Sequence, residues 1–361
     1  MIKLKTSKKY IAAAMIFAFL LPLMACGKEE EIVASPKDTV FTFAGENIPL
    51  GEVYLYAITV KEDYEETYGK DIWKTDISIA RDASANMEDV TRRDIIDDIV
   101  HVKLLDSRAN EYKCALTEEE MNQVSSETDA FYEKLTDDQI ESMDLSYELV
   151  QRVMQENALA KKVYDLIIDE AGIEVSDEDA RETTFYDLYF ECYAVASSGD
   201  VTKFSEDERE AQYERALQAY NTLINPIEST FNDGTSGSNS NSTNIEGLAE
   251  YYGLHNAAYY TMTPSEIEGI YGKDIMESLY NLDDESYSLV TESEYGYHIF
   301  YMKALTDRDA TNKRKSELIV SKRRNYMQTH YTEWQKETDP KFTYEDSVDF
   351  KVFGTIKFLD E

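Results

Sequence analysis

Apolar residues repeat at helical spacing through the first half of the chain, and β-rich runs enter in the second. In DIIDDIVHVKLLDSRANEY (94–112), Ile95, Ile96, Ile99 and Val102 recur every three or four positions, as on a helix with one buried face. In YELVQRVMQENALAKKVYDLII (147–168), Val150, Val153 and Met154 lead on to Leu159, Val163, Leu166 and Ile167 with the same period. Thr117 with Glu120, and Thr136 with Gln139, have the form of capping boxes, which satisfy the free N–H groups of a first helical turn. Ahead of these, VFTFAGENIPLGEVYLYA (40–57) reads as a short strand, a turn at Ala44–Asn47 and a helix after Pro49. From there to about residue 180 the chain reads as helical, and core packing accounts for each apolar stripe.

The pattern changes after Ser176. TFYDLYFECYAV (184–195) is aromatic and β-rich, too apolar for an exposed loop, and reads as a central strand. A helix follows from the capping box Ser205/Glu208, with Tyr213, Ala216, Leu217, Tyr220, Leu223 and Ile224 on its buried face. NDGTSGSNSNSTN (232–244) is a low-complexity loop. Helical segments at 245–253 and 264–282, then strands at 286–290 and 296–304, complete an α+β body of about 120 residues. The helix at 312–337 carries the main basic cluster, and the β-prone tail 341–358 is expected to return to the first helical part, since an isolated strand pair is only marginally stable.

The amino terminus has a different character. Lys3, Lys5, Lys8 and Lys9 precede the apolar run at 11–25, whose 15 residues fall short of the about 20 that a bilayer helix needs. A basic start, a short apolar core and a small residue before the break describe a secretory signal. Leu23-Met24-Ala25-Cys26 looks like the lipobox of bacterial lipoproteins, in which the cysteine takes a diacylglyceryl group. Two acyl chains anchor stably, so the expectation is a protein lipidated on Cys26 and held on the outer face of the bacterial cell membrane. An ordinary amino-terminal anchor would leave it on the same face.

Charge narrows the partners. With 36 Lys+Arg against 72 Asp+Glu the net charge is −36, which makes nucleic acid and anionic lipid headgroups poor partners and unfolded or basic polypeptides plausible ones. Besides Cys26 there are only Cys114 and Cys192, too few for a disulfide framework, though one bridge is open to them. CxxC and HExxH motifs, His/Cys clusters and a Gly-rich phosphate loop are all missing, so neither metal nor cofactor is expected.

Several segments share one likeness: VFTFAGENIPLGEV (40–53), the acid-rich helix starts LTEEEMNQ (116–123) and VSDEDARE (175–182), LYNLDDESYSLV (279–290), and above all Tyr295-Gly296-Tyr297-His298-Ile299-Phe300. Together they resemble the extracytoplasmic foldases of the PrsA and SurA kind, which join a helical chaperone domain to a parvulin-type prolyl isomerase domain. The resemblance implies an α+β fold: a mostly helical SurA-N-like chaperone domain built from both ends of the chain, with an inserted parvulin-like domain of a small antiparallel sheet and three to four helices. The expected boundaries are a signal peptide at 1–25, a tether at 26–38, the helical domain at 39–182, the parvulin-like domain at 183–305, and a helix and strand at 306–361 returning to the helical domain.

A parvulin site acts on the X–Pro bond without a covalent step. It holds the proline in an apolar pocket and twists the amide against a buried network of two histidines plus a cysteine or aspartate. His298 matches the second histidine. Leu188, in YDLYFE (186–191), is read at the place of the first, and GLHNAAYY (253–260) replaces the usual Gly-Gly-Asp-Leu-Gly stretch. Ile275, with Leu279 and Tyr280 nearby, is read as the pocket floor, and Glu285 stands where a glycine is usual. Cys192 lies on the same strand as Leu188, as a small buried hydrophobe.

These departures imply an isomerase with a weakened or lost active site. Three functions follow: a membrane-anchored foldase that binds newly translocated polypeptides and speeds X–Pro isomerisation; a non-catalytic holdase with a degenerate parvulin domain; and, remotely, a solute-binding lipoprotein. The 27 tyrosines suit the first two, because their rings hold unfolded segments without requiring one sequence. Against the third, the helices of 85–180 do not alternate with strands as in two-lobed binding proteins. A homodimer is compatible with all three.

Overall fold

Helix starts fall where the capping side chains place them. A computed structural model describes residues 33–80, 83–225 and 244–358. The signal segment, Cys26 and most of the 232–244 loop lie outside those residues. Thr117/Glu120, Thr136/Gln139 and Ser205/Glu208 all form reciprocal capping boxes, and Thr263/Glu266 forms a fourth. The chain is a mixture of helix and sheet that divides into two units: Ile173–Arg323, and the described residues on either side of it. No described helix is long and apolar enough to cross a membrane.

In the flanking unit, β1 (Thr39–Phe43) pairs antiparallel with β2 (Glu46–Pro49) ahead of α1 (Leu50–Tyr68). A hairpin, β3 (Asp76–Ala80) and β4 (Ala83–Asn86), interrupts the stretch expected to be helical throughout. Four helices follow: α2 (Met87–Arg108), α3 (Glu118–Tyr132), α4 (Asp137–Ser142) and α5 (Tyr147–Ala171). Ile95, Ile96, Ile99 and Val102 are buried from α2, and Val150, Val153, Val163 and Ile167 from α5, so the helical periodicity does mark the core.

The other unit is built on an antiparallel sheet ordered β10-β11-β5-β8, with β9 also on β11. Its strands are β5 (Thr183–Glu191), a small hairpin of β6 (Tyr193–Val195) and β7 (Val201–Lys203), β8 (Ala258–Met262), β9 (Ser286–Tyr287), β10 (Thr291–Ser293) and β11 (Gly296–Ala304). The run 184–195 is therefore two strands that break at Cys192, and β8 is a strand that the sequence pattern did not suggest. Helices α6 (Glu206–Ile224) and α7 (Ile245–Tyr252) cover one face of the sheet through Leu188, Phe190, Cys192, Tyr297 and Ile299. Helices α8 (Pro264–Tyr271) and α9 (Lys273–Tyr280) cover the other through Phe185, Phe300 and Met302. Cys114 and Cys192 are both free and buried.

Residues of both units occur along α10 (Arg308–Thr338). The tail beyond it is not the expected strand. It forms two turns of helix, α11 (Tyr344–Ser347) and α12 (Phe350–Phe353), and meets β1 through a single bridge, Phe41 to Val348. Local capping overrides the β propensity here: Thr343 accepts from the Asp346 N–H, and the Asp349 carboxylate accepts from the Lys351 and Val352 N–H groups. Buried Phe353, Ile356 and Phe358 then hold the tail down.

A charge network lies between α1, α2 and α5. Lys103 reaches Glu46 at 3.0 Å, Glu52 at 3.4 Å and Glu156 at 2.9 Å, while Arg152 reaches Glu52 at 2.6 Å and Glu156 at 2.8 Å. Asp106 adds a fourth carboxylate, and its buried Oδ1 finds no hydrogen-bond donor among the described residues. Burial first, then the neighbouring Glu156, pushes the Asp106 carboxyl up to about 7. A carboxyl raised on folding binds its proton more tightly in the native state, so its contribution is fully present below the unfolded value and is lost as pH rises through 7. Asp106→Asn should therefore match the wild type near pH 4, gain on it between pH 4 and 7, and level off above 7 at up to about 4 kcal/mol of added stability. Urea midpoints across that range are the measurement; a gap that is constant with pH, or that widens toward acid, would contradict it.

Candidate functional site

A carboxylate in the middle of a central strand has to find donors inside the protein, because water cannot reach it. Asp187 is that residue in β5, and it is 3% exposed. The β5–β11 register sets Tyr189 opposite His298 and Asp187 opposite Phe300, so Asp187 and His298 are diagonal neighbours on one face of the sheet. The His298 Nδ1 lies 2.9 Å from Asp187 Oδ1 and 3.0 Å from Oδ2. The Tyr271 hydroxyl, from the end of α8, donates to Asp187 Oδ2 at 3.1 Å. On the other side of the ring, Nε2 lies 2.9 Å from Ser293 Oγ, which in turn lies 3.2 Å from the Gly296 carbonyl.

The imidazole, itself 4% exposed, is held in its plane by aromatic neighbours. Tyr189 stacks on it at 4.4 Å and 1°, Phe300 lies parallel at 5.4 Å, and Tyr271 meets it edge-on at 5.7 Å. Burial, reinforced by the Asp187 carboxylate, holds the Tyr271 phenol well above its ordinary range, so it stays a donor. Burial raises the Tyr189 phenol in the same way. The glycine of the YGYHIF run has a steric reason: a Cβ on Gly296 would come within 2.2 Å of the Phe190 carbonyl oxygen and 2.8 Å of the Tyr189 ring. Without it, β11 could not begin this close to β5.

The partner expected to be missing is present, one residue from where it was sought. Leu188 does not stand in for it: its side chain points to the opposite face, fully buried against α6 and α7, and pairs across the sheet with Ile299. A one-residue step along a strand reverses the face. Ile275 and Leu279, from α9, do lie on the His298 face, in the cluster that holds Phe185, Phe300 and Met302. Tyr280 borders that cluster, with its hydroxyl 3.1 Å from Thr183 Oγ1. Cys192 sits with Leu188 on the far face. Glu285 adopts a φ of 60°, the backbone that makes a glycine usual there. Asp187, Ser293, Tyr271 and Tyr189 were not singled out from the sequence; the one signal was Asp187 itself, a charge at the centre of the aromatic run TTFYDLYFE.

No protein-family model matches the chain. Among curated proteins it is similar to the foldase protein PrsA of Clostridium perfringens strain 13, at 26% identity over 359 residues, covering 94% of this chain and 96% of that relative. It is also similar to the foldase protein PrsA of Caldanaerobacter subterraneus subsp. tengcongensis, at 22% identity over 335 residues, covering 91% of this chain and 94% of the relative. The crystal structure of the peptidylprolyl isomerase PrsA from Bacillus cereus aligns with 91% of this chain and all of its own at 14% identity, with a TM-score of 0.28, too loose to bear on any residue. The resemblance to PrsA foldases is thus carried by curated relatives along nearly the whole chain.

Removing one member of a buried pair strands the other. Asp187→Ala should lower the stability of the unit by about 3 kcal/mol, and the Asp187→Ala/His298→Ala double variant should cost clearly less than the two single changes together. Alkylation of buried Cys192 along a urea gradient reports on this unit, because both tryptophans, Trp73 and Trp334, belong to the other. Additive costs would mean that the two side chains are independent.

Proposed function

We propose that the chain is an extracytoplasmic foldase, lipidated on Cys26, that binds unfolded polypeptides and isomerises X–Pro bonds at the His298 face of its sheet-containing unit. In this reading that unit is a parvulin-like domain set between two parts of a helical chaperone domain. One observation carries the catalytic half: the buried line Ser293–His298–Asp187, in which an imidazole has a hydrogen-bond partner on each nitrogen. The likeness to PrsA foldases over 94% of the chain supports the rest.

The barrier to X–Pro rotation is about 18–20 kcal/mol, and it arises from amide resonance. Lowering it requires contacts that strengthen as the amide twists, not contacts that merely hold the substrate. Phe185, Ile275, Leu279, Phe300 and Met302 form an apolar floor for a prolyl ring on the face where His298 lies. Asp187 takes the place of a first histidine. It fixes the ring and the Nδ1 proton, so that the Nε2 edge with Ser293 is the side able to meet an amide.

A non-catalytic holdase is the second reading, favoured by one fact: Asp187 and His298 are both nearly inaccessible. The two readings separate in a proline-limited refolding assay. The wild-type protein should speed the slow phase, and His298→Ala should reduce that acceleration by about tenfold, equivalent to a single lost contact of about 1.4 kcal/mol in the twisted state. No acceleration by the wild type, together with delayed aggregation of unfolded clients, would leave the holdase.

A further inference from the structure

Something must move before His298 can touch a substrate, and the side chains around it are not equally free to do so. Tyr189 and Phe300 stack on the ring from β5 and β11, strands paired with each other from Thr184 to Glu191. The Tyr189 hydroxyl is tied as well, donating to the Tyr295 carbonyl at 3.0 Å. Ser293 belongs to the hairpin that pairs with β11. Tyr271 alone among these neighbours comes from outside the sheet.

Its position suits movement. Tyr271 is the last residue of α8, a helix of eight residues in which only Ile267 is fully buried. The next residue, Gly272, has φ 84° and ψ 164° and opens onto free space, so the chain can swivel there without a Cβ to obstruct it. The Tyr271 ring makes edge-on contacts with Phe185 at 6.0 Å and Phe300 at 5.5 Å, as well as with His298. Among the described residues, the one hydrogen-bond partner of its hydroxyl is Asp187.

We propose that Tyr271 is the gate of the His298 site, latched shut by its hydroxyl on Asp187 and displaced by the prolyl ring of an incoming polypeptide. The ring it moves aside lies against Phe185 and Phe300, the surfaces that a proline would take over, so apolar contact is exchanged instead of lost. Opening breaks one hydrogen bond and uncovers the imidazole. The identity of the displacing group rests on the isomerase reading above; the latch itself does not.

The test uses the full chain with Tyr271→Phe, which keeps the ring and removes the latch. Carbethoxylation of His298 by diethyl pyrocarbonate, read by peptide mapping, reports access to the imidazole. Alkylation of Cys192, fully buried on the opposite face of the same sheet, reports general loosening. His298 should react about 5-fold faster in the variant, the scale of one lost hydrogen bond, with Cys192 unchanged. An unchanged His298 rate overturns the gate, and so does a rise shared equally with Cys192. Isomerisation of a chromogenic Ala-Pro tetrapeptide is measured on the same samples: if none of them isomerises it, the isomerase reading falls while the labelling still decides the gate.

Discussion

The sheet-containing unit depends on the burial of one carboxylate. An aspartate at 3% exposure needs donors from within the protein, and the structure supplies two, the His298 ring and the Tyr271 hydroxyl. Those donors come from β11 and from the end of α8, so the same group ties the strand register to the helix that packs over it. A slip of one residue between β5 and β11 would turn His298 toward α6 and α7 and leave Asp187 unpaired among aromatic rings. Gly296 permits this register, because any side chain there would strike the Phe190 carbonyl.

That dependence explains what was legible in the sequence. Periodicity located the buried faces of α2 and α5, and Thr or Ser followed three residues later by Glu or Gln located helix starts, because both signals are local. His298 stood out as a lone imidazole on a strand. Its partner did not, because a hydrogen bond between residues 111 apart leaves no spacing to read. Leu188 and Asp187 are adjacent letters on opposite faces, and only the pairing of β5 with β11 tells which one faces His298. β8 escaped for a related reason: it is five residues of alternating exposure, and its strand character comes from lying against β5. In the tail, aromatic and β-branched residues suggested a strand, but Thr343 and Asp349 supply helix caps within a few residues of each other.

The flanking unit solves a similar problem differently. Glu52 is 1% exposed and, like Asp187, must be paired, but it is paired with two cations, Lys103 and Arg152, which also serve Glu46 and Glu156. With Asp106 beside them, four carboxylates share two positive charges, and one of the four takes up a proton near neutrality. Shared cations tie α1, α2 and α5 together without demanding a single geometry. The Asp187 site has no such slack, since each of its acceptors meets a particular donor.

Where the mobile proton can sit follows from these contacts. Asp187 accepts from two donors and so has none of its own to give, while Nδ1 must carry hydrogen to reach it. The remaining freedom lies on the other edge of the ring. The Ser293 hydroxyl has one proton and two acceptors within reach, Nε2 at 2.9 Å and the Gly296 carbonyl at 3.2 Å. Given to Nε2, it leaves a neutral ring with no donor facing outward. Given to Gly296, it requires hydrogen on Nε2 and makes the ring an imidazolium against the Asp187 carboxylate. In the proposed reading, the second arrangement is the one that can donate to a twisting amide, and the hairpin joining β10 to β11 keeps it open by holding the Gly296 carbonyl within reach of Ser293. The position of the Ser293 proton thus depends on a turn of the edge strand, as that of the Nδ1 proton depends on the aspartate.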